Sequence, residues 1–207
     1  RLVKQLQKRR AARRLLTPDE LDRLHAGLDA YAEQKRAQRR NSRAHGKAHL
    51  EDLDDVALPH FFVPFTYVAL YTGMRPGDVY ALRWEEVSLD FAKISKVCEK
   101  TRHHPEPPEI VVDIAAPLLE ILNTWHRQQG RPMTGLVFAS PVTGKRMDKD
   151  SHRRAWAQVK KLGGLPDDLA FYSLRHHFIS TLVAQGVPIL TVARLVGQKS
   201  ATMIENH

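Results

Sequence analysis

Two short β-type runs, Ile94-Ser95-Lys96-Val97 and Ile110-Val111-Val112-Asp113-Ile114, stand in the middle of a chain that is otherwise patterned at helical spacing. Between them lies Thr101 to Pro108, rich in His and Pro, so the pair reads as a hairpin with a loose tip. Trp84 to Leu89 can add a preceding strand. So little strand must bury its apolar face against helices, which predicts an α+β, mainly helical fold with a small three-stranded antiparallel sheet.

The helical segments carry their own start and stop signals. Thr17-Pro18-Asp19-Glu20 combines a cap, a first-turn proline and a capping-box glutamate, and Leu21, Leu24, Leu28 and Tyr31 follow at helical spacing. Arg39 to Lys47 is polar and reads as a mobile loop. Residues 53–71 read as a helix apolar nearly all round. Thr72-Gly73-Met74-Arg75-Pro76-Gly77 is a turn, and Pro76 starts a helix expected to run to about Trp84. Further helices are expected over Ala116 to Gln129, Lys149 to Lys161, Ser173 to Gln185 and from Pro188 to near Gly197.

The chain has 207 residues, enough for one good-sized domain. It begins at Arg1 without methionine, which is expected of a piece of a longer protein. Residues 1–50 hold 14 Lys+Arg against 5 Asp+Glu, while the remaining 18 basic and 18 acidic residues cancel, so the whole +9 excess sits on the N-terminal quarter. Lys8-Arg9-Arg10, Arg13-Arg14 and Lys35-Arg36 to Arg39-Arg40 form that block, which suits a polyanion because each neutralised phosphate releases counterions. A solvated linker fits the same composition. An anionic lipid surface fits less well, because no large apolar face accompanies the charge. With one cysteine, Cys98, no intrachain disulfide forms, and a reducing compartment is the default. No apolar run reaches the roughly 18–20 residues of a membrane span. Phosphate-loop, HExxH, GxSxG and Cys/His zinc spacings are missing, and the adjacent pairs His103-His104 and His176-His177 point their side chains apart, so no metal site is expected.

The chemistry therefore rests on arginines. Arg75 follows a glycine turn and opens a helix. Arg175 lies among Leu174, Phe178 and Leu182, where a guanidinium is expected to need a carboxylate or a phosphate. Each can equally be half of a structural ion pair, Arg75 with Asp78 for instance. Thr72-Gly73-Met74-Arg75-Pro76-Gly77-Asp78-Val79-Tyr80-Ala81-Leu82-Arg83-Trp84 resembles the first arginine box of the tyrosine recombinases, the phage integrase family. Tyr172-Ser173-Leu174-Arg175-His176-His177-Phe178 resembles their second box, H-x-L-R-H-x-F, and Leu195-Val196-Gly197-Gln198-Lys199-Ser200 their L-x-G-H-x-S stretch. Lys100 matches the family's β-hairpin lysine. The resemblance covers about residues 17–207, with the motifs in the family's order.

That resemblance implies a metal-free and cofactor-free catalytic domain over 17–207, preceded by a basic interdomain linker over 1–16. It implies that a tyrosine attacks double-stranded DNA to form a 3′-phosphotyrosyl link and free a 5′-hydroxyl. Arg75 and Arg175 would hold the non-bridging oxygens, Lys100 would protonate the leaving oxygen, and Asp78 would brace the first box. Lys8, Arg9, Arg10, Arg13, Arg14, Arg39 and Arg40 would contact DNA, and a homo-oligomer, a tetramer on DNA, is implied, in the cytoplasm of a prokaryote or with a phage or mobile element. Three departures stand out. Tyr172 occupies the box II histidine position, and a phenol with a reference pKa of about 10 is a poor base at neutral pH. Gln198 stands where His or Trp is usual. Met203-Ile204-Glu205-Asn206-His207 resembles the family's M-x-E-x-H-Y, so the nucleophile is expected one residue past His207 and the chain as given is expected not to cleave. A DNA-binding protein of this fold without catalysis is the alternative.

Overall fold

The computed structural model describes residues 15–99, 102, 103, 105 and 107–198. Helix α1 spans Pro18–Ala44, and its capping box forms as the sequence predicts. The Glu20 amide donates to Thr17 Oγ1 at 3.2 Å and the Thr17 amide to Glu20 Oε2 at 2.9 Å. Leu24, Leu28 and Tyr31 are buried from this helix, and Leu16, just before the cap, is buried too. The expected loop over Arg39 to Lys47 does not form: α1 continues to Ala44 and bends away only at His45. The physical reason is a set of arginines on its last turns. Arg36 donates to the Val56 and Ala57 carbonyls, Arg39 to that of Glu51 and Arg43 to that of Leu50, so the chain after the helix is tied back along it.

Helix α2 spans Phe62–Thr72 rather than starting near residue 53, with turns before it. Pro64 falls in the first turn, where the missing N–H costs no helical bond. Nearly the whole helix is buried, and Thr66 and Thr72 satisfy their hydroxyls on the Phe62 and Val68 carbonyls at 2.8 and 2.6 Å. Phe62 and Phe65 lead an aromatic cluster that includes Tyr80, Phe138 and Phe171.

Helix α3, Pro76–Tyr80, is shorter than the sequence predicts. Tertiary pairing ends it: the Val137 amide donates to the Leu82 carbonyl at 2.9 Å and the Trp84 amide to the Gly135 carbonyl at 2.8 Å, which pulls residues 82–84 out of the helix. Trp84–Glu86 is a 3₁₀ turn, so the third strand, β1, shrinks to Val87–Ser88. Strands β2, Lys93–Val97, and β3, Glu109–Asp113, pair antiparallel with Ser95 opposite Val111, in sheet order β1-β2-β3. Alternation buries Ile94 and Lys96 on β2 and Ile110 and Val112 on β3. Four helices follow: α4, Ala116–Gln128; α5, His152–Leu162; α6, Ser173–Ala184; and α7, Ile189–Leu195. Helix α1 packs on α5, α2 on α4 and α6, and α7 on β3. The mainly helical α+β architecture with one small antiparallel sheet is the one expected. Among the described residues, no helix is long and apolar enough to cross a membrane.

Candidate active site

Helix α2 ends at Gly73 in the left-handed region, φ 61° and ψ 14°. A side chain there would also meet Phe178 of α6, whose Cδ1 lies 2.5 Å from where a Cβ would stand. Glycine thus serves twice, as a left-handed cap and as the point where the first arginine box touches the second. The bond that joins them runs through the same residue: Arg175 Nη1 donates to the Gly73 carbonyl at 2.6 Å. Arg175 Nη2 donates to the carbonyl of Val196, the cap of α7, at 3.0 Å. Among the described residues the hydrogen-bond partners of its guanidinium are thus two backbone carbonyls rather than a carboxylate. The reason is electrostatic. The ends of two helices converge on Arg175, each with unsatisfied carbonyls and the negative end of its dipole, and a cation completes both.

Arg175 is only 2% exposed, yet few of its donors find partners among the described residues. A guanidinium carries five N–H groups, and two are occupied by carbonyls; Nε is buried without a hydrogen-bond partner among the described residues. Burial lowers its pKa to about 10, and the positive charge of Arg75 adds to that shift, while Tyr172, Asp78 and Cys98 oppose it. Arg175 remains a cation at neutral pH. The mutual influence also places Arg75, Tyr172, Asp78 and Cys98 within electrostatic reach of one guanidinium.

Arg75 caps α3 with an extended backbone and a side chain 22% exposed. Its Nη1 lies 3.9 Å from Asp78 Oδ2, a long ion pair. Asp78 is buried, and its Oδ1 accepts the Glu99 amide at 2.8 Å. One carboxylate thus faces both the first arginine and the chain at the end of β2. Lys100, the next residue, lies outside the described residues, as do Lys8, Arg9, Arg10, Arg13 and Arg14. Tyr172, at the head of α6, is half-exposed and sets its ring edge against His176, with centroids 5.0 Å apart. Gln198 is buried; its backbone N–H donates to the Ala193 carbonyl at 2.8 Å, and its side-chain oxygen has no hydrogen-bond partner among the described residues.

Arg39 and Arg40 sit apart from this cluster, on the last turns of α1. Arg40 pairs with Asp54 at 2.6 Å and with Glu33 at 2.7 Å, and its bond holds the Glu33 carboxyl below its ordinary range. Both arginines thus already have partners in the folded chain.

Three contributors escaped the sequence reading. Lys96 is fully buried, donating to the Ala81 carbonyl at 3.0 Å and to both oxygens of Glu86 at 3.1 and 3.0 Å, which fastens β2 to the end of α3. Cys98 is buried against Gly197. The backbone of Glu99 carries the Asp78 bond. The strict alternation Ile94, Lys96, Cys98 was the available signal for the first two. A groove of about 510 Å³ opens elsewhere, lined by Tyr71, Val112, Ile114, Phe178, Leu182 and Leu195 among others. Most of its lining is apolar, with His25, Asp113, His177 and Gln185 among the exceptions, and it holds neither arginine. Among the described residues there is no group of three or more His, Cys, Asp or Glu side chains that could hold a metal ion.

Comparison with known proteins gives the family and the fold. The phage integrase family model matches residues 48–207, and the chain belongs to that family. It is 32% identical to an integrase of Streptomyces ambofaciens over 171 residues, covering 68% of this chain and 42% of that protein. It is 27% identical to the tyrosine recombinase XerC of Rickettsia canadensis over 161 residues, 77% of this chain and 50% of that one. The chain thus spans about half the length of the curated relatives it matches. Among solved structures, the XerA recombinase superposes with a TM-score of 0.65 at 17% identity, over 92% of this chain and 57% of that chain. A lambda integrase dimer bound to a COC′ core site gives 0.62 at 18%, over 96% and 49%. These structural likenesses establish the fold: that of the helical domain with a small sheet seen in these recombinases.

Proposed function

We propose that this chain is the catalytic domain of a site-specific DNA recombinase or integrase, which cleaves and rejoins double-stranded DNA through a 3′-phosphotyrosyl intermediate. The observation that carries the proposal is Arg175: a buried guanidinium clamped at two helix ends, with its Nε unpartnered among the described residues and the charge of Arg75 within electrostatic reach. Such a fixed fork is suited to an oxyanion whose charge and shape change along the reaction, because it needs no reorganisation when that charge develops. Arg75 supplies the second cation. Asp78 keeps Arg75 and the end of β2 in register, and Lys100, the residue after Glu99 in the sequence, donates the proton to the leaving 5′-oxygen. Tyr172 and Gln198 serve as hydrogen-bond donors to the phosphate, a role open to a phenol and an amide and needing no proton shuttle. The nucleophile is a tyrosine directly after His207.

Solved neighbours include XerH bound to its difH substrate and a lambda integrase tetramer bound to a Holliday junction. By analogy this domain works on a duplex recombination site, as part of a tetramer, with residues 1–16 as a basic linker along the phosphates. That work belongs at bacterial or phage DNA in the cytoplasm.

The test is covalent trapping. A chain carrying the tyrosine after His207 is incubated with a nicked suicide duplex and resolved under denaturing conditions. A protein–DNA adduct lost on replacing that tyrosine by Phe is expected, and the chain ending at His207 should give none. Duplex binding without any adduct would instead establish a DNA-binding protein of this fold that has lost catalysis.

A further inference from the structure

Cys98 follows β2 on the inner face of the hairpin and is fully buried. Gly197 leaves α7 with φ 63°, and a Cβ built there would collide with Cys98 Sγ and stand 3.0 Å from Ile110 Cγ1. The thiol lies 3.7 Å from the Gly197 carbonyl, bridging 99 residues of sequence. The neighbours on each side give this contact its meaning. Gly197 lies between Val196, whose carbonyl holds Arg175, and Gln198. Cys98 precedes Glu99, whose amide is held by Asp78, and Lys100 follows. Sulfur suits the place because it is large and makes only weak hydrogen bonds, so it fills the space without demanding a strong partner.

We propose that Cys98 is a positioning residue: its side chain, seated where a Cβ at position 197 would lie, sets the spacing between the hairpin strand that leads to Lys100 and the 196–198 segment that holds Arg175 and Gln198. Its catalytic readout rests on the cleavage reaction proposed above, and its structural readout does not. Misplacing reacting groups by about 1 Å can cost on the order of 10²-fold in rate, so a loosened latch should register in cleavage before it registers in DNA binding.

The experiment compares Cys98→Ala, Cys98→Ser, Gly197→Ala and the Cys98→Ala/Gly197→Ala pair. Each is measured in single-turnover cleavage of a nicked duplex, in duplex affinity and in thermal melting. Cys98→Ala should slow cleavage roughly 10-fold with duplex affinity unchanged at temperatures well below melting, and Cys98→Ser should recover most of the rate. Gly197→Ala should cost on the order of 10²-fold or fail to fold, and adding Cys98→Ala should restore part of the loss, because it removes the atom with which the new methyl collides. A pair no better than Gly197→Ala alone, in both cleavage and melting, would overturn the latch, as would wild-type cleavage by Cys98→Ala. If the parent chain gives no covalent adduct at all, the functional reading fails instead. Rescue of the melting transition by the pair would still uphold the contact.

Discussion

On the last turns of α1, Arg36, Arg39, Arg40 and Arg43 bind the carbonyls and carboxylates of the segment that follows. At the head of α6, Arg175 also binds carbonyls. The donor chemistry is the same and the setting differs. The α1 bonds join residues 5 to 21 apart at a largely exposed surface, whereas Arg175 is 2% exposed and reaches Gly73, 102 residues away. In water the α1 pairs exchange one set of hydrogen bonds for another, so each contributes little. Inside the protein, Arg175 has no solvent to fall back on, and neither do its carbonyls. The comparison shows that one residue type shapes a loop in one place and holds a reactive geometry in the other, with burial deciding between them.

The largest expected effect breaks the comparison at its buried side. Arg175→Ala should lower single-turnover cleavage roughly 10²–10³-fold, the usual cost of losing one preorganised donor. It should also destabilise the fold, because the Gly73 and Val196 carbonyls lose their partner at about 1–3 kcal/mol each. Urea denaturation measured beside cleavage separates the two. Arg175→Lys should recover some stability and little cleavage, since an ammonium cannot reproduce the planar fork. Undiminished cleavage in Arg175→Ala would reduce this residue to a helix clamp.

Lys96 sharpens the comparison as a buried cation with no proposed role in the reaction. Lys96→Met strands Glu86 and should cost roughly 2–3 kcal/mol in urea denaturation, below the usual figure for a broken buried pair because Glu86 keeps some contact with water. Cleavage per folded molecule should be nearly unchanged. A loss of cleavage without a loss of stability would show that the β2 anchor is part of the reactive geometry.

The smallest effect belongs to the exposed side. Arg40→Ala should barely move the urea midpoint, and less still in high salt. Arg39→Ala/Arg40→Ala tests their second use. If both reach phosphates, the slope of log affinity against log salt should flatten by about one to two. An unchanged slope would leave them as fasteners of the loop after α1.

Much of the fold is legible in the sequence because it rests on near neighbours. The Thr17–Glu20 capping box, the α1 spacing of Leu24, Leu28 and Tyr31, and the alternation in β2 and β3 each depend on residues a few positions apart. The motifs around Arg75 and Arg175 were legible for the same reason. What tertiary structure alone decided lies elsewhere. Helix α1 outlasted its polar sequence because the returning chain offered carbonyls to its arginines, and α3 stopped early because residues 82–84 paired with 135–137. Lys96 found its partners under the sheet, and Cys98 found Gly197 across 99 residues. Arg175 is the clearest instance. Side-chain partners leave a mark in the sequence, but every residue carries a backbone carbonyl, so an arginine that closes on two of them has no partner to be read until packing brings two helix ends together.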